Sequence, residues 1–218
     1  MLARVSRSIA AAVVLFAALP AVCAAQSDAP VAKPEVKAGD RWTYNWMNYW
    51  TNTPDFTYEL EVTFAQKDAI LTVSKRKGGE RETDANWTSE WNAVSNARGM
   101  IFKPSSQGLK FPLRIGATYS GDFEMEQPRL GAWLVRHERT MKVVGWEDVV
   151  VPAGKFRALR IEANGTFQRL DTSIAGTAKT VIWYVPEVKR WVKFTYEDAT
   201  NRGPFNKNGE ELVEFKVQ

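Results

Sequence analysis

Alternation of apolar and polar residues along most of the chain is the feature that most restricts what this sequence can fold into. A period of two places the apolar side chains of a strand on one face. The clearest run predicts an antiparallel strand whose polar side, with Glu59 and Glu61, faces solvent. The side chains predicted to point inward are Phe56, Tyr58, Leu60, Val62 and Phe64.

The same period recurs in segments separated by turn residues, and no stretch has the 3.6-residue period of a long helix. Because open twisted sheets seldom exceed about ten strands, a sheet of this size is expected to close or curl. We predict an all-β fold, an antiparallel curved sheet that forms a half-barrel or barrel of about ten strands with little helix. Further strands are predicted at 41–50, 69–75, 81–91, 118–127, 133–144, 149–151, 156–163, 177–185, 191–198 and 211–217.

The first 25 residues predict a secretory signal peptide. They begin with Arg4 and Arg7 and continue with an apolar run at 9–19. This run is shorter than the stretch of about 20 residues that a membrane-spanning helix needs. Cleavage is expected after Ala24 or Ala25. We therefore expect the mature chain in the periplasm or secreted, and we do not expect it to span a membrane.

Cys23 is the only cysteine and raises an alternative, because exported lipoproteins are cut before a cysteine that then carries the lipid. Val22 stands where such a signal needs a small residue, so we expect Cys23 to leave with the signal peptide. Residues 26–38 contain prolines and scattered charge without a period, which predicts a flexible leader. Residues 39–218 are expected to form a single β domain.

The charge of the mature chain is nearly balanced. Without Arg4 and Arg7, the 29 basic residues fall to 27 against 25 acidic ones, a net charge of +2. A surface that binds nucleic acid needs more positive charge gathered on one face. We therefore expect no nucleic-acid partner, and we expect the protein to be a monomer.

The sequence offers few groups for catalysis. His137 is the only histidine, and without Cys23 neither a histidine-activated nucleophile nor an ordinary zinc site is easy to assemble. Two strands carry paired glutamates about 7 Å apart, a spacing within the range of inverting glycosidases. Both pairs lie opposite the apolar residues, on a face expected to be solvated, whereas a catalytic acid with a raised pKa needs burial. We therefore expect the protein to have no enzymatic activity and to bind neither a cofactor nor a metal. The paired glutamates are Glu59 with Glu61 and Glu124 with Glu126.

All nine tryptophans lie outside the signal segment. Most are expected in the core, because aromatic side chains suit strands and bury about 150–250 Å² each. Two functions compete for the rest. A concave face too wide to be filled by its own side chains would leave a groove for a lipid or an acyl chain. Tryptophans on the convex face or in loops would instead suit stacking on sugar rings.

The residues expected to bind a ligand are those that the strand phase places on the concave face. His137 and Arg139 share the phase of Trp133, unless a bulge near Arg136 returns them to solvent. If the phase holds, they form the polar end of the groove, and Arg139 binds a carboxylate or phosphate in bidentate fashion. The predicted ligand-binding residues are Trp42, Trp46, Tyr58, Trp133, His137 and Arg139.

Two stretches near the C-terminal end resemble a known group of proteins. Residues 151–156 are Val-Pro-Ala-Gly-Lys-Phe, and residues 183–186 are Trp-Tyr-Val-Pro. They resemble a set of bacterial exported proteins of unknown function with a Val-Pro-Ala-Gly-x-Phe hairpin and a Trp-Tyr-x-Pro strand end. The resemblance implies a fold similar to the curved half-barrels of periplasmic lipoprotein carriers, and it brings no catalytic residue.

Together these observations predict an exported envelope protein that binds or chaperones a hydrophobic ligand without catalysis. The ligand is expected to be a lipid or an acyl chain held in the concave face of the sheet. The alternative from the sequence is a glycan-binding or structural envelope protein that uses exposed tryptophans.

Overall fold

A computed structural model describes residues 29–79, 84–128 and 133–218. The predicted signal peptide and residues 26–28 of the predicted leader lie outside the described residues. The strands are β1 (Arg41–Asn48), β2 (Thr53–Ala65), β3 (Ala69–Arg76), β4 (Ala85–Thr88), β5 (Ala93–Ser95), β6 (Ile101–Lys103), β7 (Thr118–Ser120), β8 (Phe123–Gln127), β9 (Trp133–Val151), β10 (Gly154–Arg169), β11 (Ala175–Val185), β12 (Arg190–Thr200) and β13 (Gly203–Lys216), and a 3₁₀ turn spans Pro186–Val188.

The strands form one sheet that closes on itself. All the strand pairings are antiparallel, in the order β10-β11-β12-β13-β1-β2-β3-β4-β5-β6-β8-β9-β7, and β9 also pairs with β10. The predicted all-β antiparallel barrel is confirmed. The strand predicted at 118–127 is divided into β7 and β8, because the side chain of Asp122 accepts the backbone N–H of Arg139 at 2.8 Å in place of a regular ladder.

No helix within the described ranges has the length and apolar character that crossing a membrane requires.

Strand β9 sets which side chains enter the barrel where the ring closes. Its register with β10 is continuous from Val135 to Val143, so the bulge considered near Arg136 is absent. The register shifts only beyond Val143, next to Gly145. Alternate side chains from Val135 to Val143 therefore face the interior, and His137 and Arg139 are among them.

The inward face of β2 follows the prediction as far as Val62. Leu60 and Val62 are buried, whereas Phe64 is 41% exposed. The register with β3 shifts between Val62 and Phe64, so one extra residue, Thr63, turns the end of the strand over. The prediction that Phe64 points inward is therefore wrong. Glu59 is exposed, as predicted.

The two ends of the barrel are built differently. Short turns such as 49–52 and 201–202 join the strands at one end, which we call the open end. At the other end, the closed end, residues 104–117 fold back into the barrel and bury Leu109 and Leu113. The Asn92 side chain holds this inserted segment, since its amide donates to the carbonyl of Leu109 at 2.7 Å and accepts its N–H at 2.8 Å.

The predicted flexible leader does not hold for residues 31–38. Val31 and Leu113 exchange two backbone hydrogen bonds of 2.8 and 2.9 Å. Val31 and Val36 pack against the core, and Lys33 donates to the Ser89 hydroxyl at 3.1 Å. These isolated apolar residues have no period, so the sequence pattern does not reveal that they pack against the core.

Candidate ligand cavity

The open half of the barrel contains a cavity of about 880 Å³. The inserted segment fills only the closed half, and a ring of this many strands is too wide for its own side chains to fill. Leu109, Trp91 and Arg190 lie where the cavity meets the closed half, and we call them the floor. The walls are rich in aromatic side chains, including Trp46, Phe56, Phe102, Phe123, Phe167 and Phe194.

The charge on the cavity lining is mostly positive. The two acids that line it are already bound by polar groups. Tyr196 donates to Asp198 at 2.9 Å, and Tyr58 and Trp191 each donate to Glu210 at 2.7 Å. The lining therefore favours anionic over cationic ligands. Within the described ranges its charged side chains are Asp198, Glu210 and six arginines, Arg76, Arg98, Arg139, Arg169, Arg190 and Arg202.

Four of the six predicted ligand-binding residues line this cavity, namely Trp46, Tyr58, His137 and Arg139. The ring of Trp46 stacks on Phe56, with ring centres 6.1 Å apart and planes 7° apart. Burial, followed by the charge of Glu210, raises the pKa of Tyr58 well above its usual range. Tyr58 is therefore a neutral donor at physiological pH.

Trp42 does not reach the cavity, contrary to the prediction. It is fully buried in the closed half, where its indole N–H donates to the carbonyl of Val188 at 2.9 Å. Its ring packs edge-on against Trp91 at 5.4 Å. Trp42 and Trp46 lie four residues apart on the same strand, yet Trp42 belongs to the core and Trp46 to the cavity wall. The side chain of Trp133, the first residue of β9, lies outside the described residues.

His137 belongs to the apolar wall rather than to a polar site. Its ring stacks on Phe123 at 4.6 Å and lies 5.9 Å from Phe167. Burial, helped by the nearby charge of Arg139, lowers the pKa of His137 to about 4. The imidazole is therefore neutral at physiological pH, and its Nδ1 has no hydrogen-bond partner among the described residues.

Arg139 uses its donors within the protein. The guanidinium donates to the carbonyls of Gly121, at 3.3 Å, and Ser106, and it lies 4.6 Å above the ring of Phe123. Burial lowers the pKa of Arg139 to about 10, so it stays protonated at neutral pH. The side chain connects β9 to the inserted segment, which leaves it fewer donors for a ligand than the sequence suggested.

Arg190 is the cavity residue that the sequence analysis missed. It is 1% exposed, and its guanidinium carbon lies 3.9 Å from the ring centre of Trp191, 4.5 Å from Trp91 and 4.8 Å from Trp87. Its Nε and Nη1 have no hydrogen-bond partner among the described residues. Lys189-Arg190 in sequence resembles a solvated turn, so the only signal was the surplus of tryptophans.

The paired glutamates lie on the outside of the barrel. Glu61 forms an ion pair with Arg41 at 3.3 Å. The second pair, Glu124 and Glu126, is bound by Arg136 at 2.8 Å and Lys103 at 2.9 Å. These contacts are exposed surface ion pairs, which suit a solvated face. Among the described residues, no three His, Cys, Asp or Glu side chains are grouped closely enough to hold a metal ion.

The fold is similar to that of a candidate exported protein with a YmcC-like fold from Bacteroides fragilis. That protein is 15% identical, the alignment covers 86% of this chain and 100% of that chain, and the TM-score is 0.50. A candidate lipoprotein from Parabacteroides distasonis aligns over the same shares, at 13% identity and a TM-score of 0.48. No protein-family model matches the sequence, and neither does any curated protein.

Proposed function

We propose that this chain is an exported, non-catalytic protein that holds a hydrophobic ligand, a lipid or an acyl chain, in the cavity of its barrel. The observation that carries this proposal is the aromatic cavity of about 880 Å³ at the open end. Its volume falls within the range of about 300–1,000 Å³ typical of small-molecule sites. A bound chain would cover apolar surface worth about 25 cal/mol per Å².

Export to the periplasm or the extracellular space is part of the proposal. The signal pattern of the first 25 residues supports it, as does the similar fold of a candidate exported protein. The ligand is bound by a monomer without a cofactor. The barrel walls shield the apolar chain from water while it is carried or stored.

Titration calorimetry with phospholipid micelles tests the proposal. Met125 lines the cavity, so Met125→Trp narrows it and should weaken binding about tenfold or more while the melting temperature stays near that of the wild type. Val144, which is 40% exposed, provides the matched control: Val144→Trp should bind as the wild type does. Absence of saturable binding to the wild type, or equal binding by both variants, would contradict the proposal.

The glycan-binding alternative rests on Trp50, which is 57% exposed in the turn between β1 and β2. An exposed indole face can stack on a sugar ring, whereas the ring of Trp46 in the cavity already stacks on Phe56. Peptidoglycan fragments should then bind to the wild type and not to Trp50→Ala. Binding of fragments that Trp50→Ala abolishes, together with no binding of micelles, would favour this second function.

A further inference from the structure

Arg190 has fewer polar partners than a buried charge ordinarily has. The Tyr44 side chain lies against the guanidinium, but Nε and Nη1 have no partner among the described residues. Removing an arginine from water is costly unless a carboxylate or other acceptors replace the solvent. No carboxylate of the described residues forms an ion pair with it, although Glu210 also lines the cavity. The oxygens of Glu210 instead accept the hydroxyl of Tyr58 and the indole N–H of Trp191.

The backbone on both sides of Arg190 is held in place by three aromatic side chains. Trp42 donates to the carbonyl of Val188 at 2.9 Å, and Trp91 donates to that of Lys189 at 2.8 Å. Tyr44 donates to the carbonyl of Trp191 at 2.6 Å. The backbone at Arg190 is therefore held in place before any ligand arrives, which lowers the cost of ordering the site on binding.

The rings around the guanidinium compensate only part of its dehydration. Cation–π contacts act through the aromatic faces, and they strengthen when the cation is removed from water. They do not accept the N–H bonds that lie in the guanidinium plane. Nε and Nη1 therefore remain donors that need an acceptor.

We propose that Arg190 is the anion-binding residue of the cavity and that the ligand is an acidic amphiphile. This inference rests on the proposed function. The acid, a carboxylate or a phosphate monoester, accepts hydrogen bonds from the guanidinium at the floor, and the apolar chain extends along the aromatic walls towards the open end. Arginines outnumber acids on the cavity lining, so the electrostatic field of the lining also attracts a negatively charged head group.

Binding of the acid involves movement of the floor. Nε and Nη1 are not accessible to solvent, and the nearest rings above the guanidinium are those of Trp191, Trp91 and Trp87. An anion reaches Nε and Nη1 only when one of these rings moves aside. Acidic ligands should therefore change tryptophan emission more than neutral ligands of the same chain length.

The test compares hexadecanoate, hexadecyl phosphate and hexadecanol, which share a chain and differ in the head group. Calorimetry is performed on the wild type and on Arg190→Met, Arg139→Met and Arg114→Met. Arg114 is exposed at the closed end, so Arg114→Met is a control that removes one positive charge outside the cavity. The wild type should bind at least one of the two acids about tenfold more tightly than the alcohol. Which acid is preferred distinguishes a carboxylate from a phosphate ligand.

Arg190→Met should bind the acids no better than the alcohol, and Arg114→Met should keep the preference for the acids. A folded Arg190→Met that still binds the acids more tightly than the alcohol overturns the inference. If only Arg139→Met loses the preference for the acids, the anion-binding residue is Arg139 and not Arg190. Equal binding of acids and alcohol by the wild type overturns the inference but leaves the proposed function standing, whereas failure of all three to bind ends both.

Arg190→Met is checked by circular dichroism before any titration. If it does not fold, the NMR signals of the arginine Nε–H groups in the wild type decide the question. The Arg190 signal is identified by its absence from the spectrum of Arg190→Lys. It should shift when hexadecanoate or hexadecyl phosphate is added and stay in place with hexadecanol. A signal that none of the ligands moves would overturn the inference.

Discussion

The closed and open halves of the barrel are built by the same strands yet have opposite interiors. Strand β1 carries Trp42 and Trp46 on the same face, four residues apart. Trp42 is fully buried, whereas Trp46 lines the cavity. The difference comes from residues 104–117, which fill one half and leave the other open. The inserted segment, together with Trp91 and Val188 that pack beside Trp42, therefore makes one part of the interior core and leaves the other part as cavity.

The largest effect should come from removing the tryptophan of the closed half. Trp42→Ala should lower the free energy of unfolding by about 3–5 kcal/mol, because it leaves a cavity in the core and breaks a buried hydrogen bond. Trp46→Ala, the matched change on the same strand, should cost about 1 kcal/mol, since that ring already borders open space. Urea unfolding of both variants checks this, and equal losses would mean that the two halves are packed alike.

The open half should show a pH dependence of its own through His137. Burial holds its pKa at about 4, below the ordinary value of 6.5. As the pH falls from 6.5 towards 4, the unfolded chain gains a proton that the folded chain does not bind, so stability is lost in this window. The loss should reach about 2–3 kcal/mol.

The ring of His137 stacks on Phe123, so His137→Phe keeps the stacking and removes the titration. Carboxylates titrate in the same window in both proteins and cancel in the comparison. The variant should therefore lose less stability than the wild type between pH 6.5 and about 4. Urea midpoints that follow the same pH slope in the two proteins would show that the imidazole protonates freely in the folded state.

A smaller contrast is expected between two asparagines at opposite ends. Asn92 is buried and holds Leu109 by two hydrogen bonds, so Asn92→Ala should cost about 1–3 kcal/mol. Asn96 accepts the N–H groups of Arg98 and Met100 at 3.0 and 3.1 Å in a turn of the open end. Asn96→Ala should stay within about 1 kcal/mol. A larger loss at Asn96 than at Asn92 would indicate that the inserted segment is held by other contacts.

The alternation of residues is enough to predict the barrel, since each strand needs one buried face and this many strands must close. It also predicts the interior side of Tyr58, His137 and Arg139. It fails at Phe64, because a bulge adds one residue to a strand without changing the sequence pattern. The bulge is visible in the hydrogen-bond register between β2 and β3, and the alternation of residues does not reveal it.

The depth of the cavity could not be predicted in the same way. How far the interior is filled depends on residues 104–117, whose composition is that of a loop, so Trp42 was expected on a cavity wall. Arg190 was missed for a related reason. Its burial depends on Trp87 on β4 and Trp91 on the turn after it, which are distant in sequence from Arg190 and reach it only in the closed barrel.

Closure of the ring has a consequence for how the chain acquires its structure. The ladder between β1 and β13 pairs Arg41 with Lys216, so the ring is completed by joining strands from opposite ends of the described chain. Such long-range pairing slows folding to the millisecond-to-second range typical of β proteins. Until β13 docks, β1 presents an unpaired edge and the aromatic walls face water, a state prone to association with other chains. The surface proposed to hold a ligand is thus also the one that needs protection during folding.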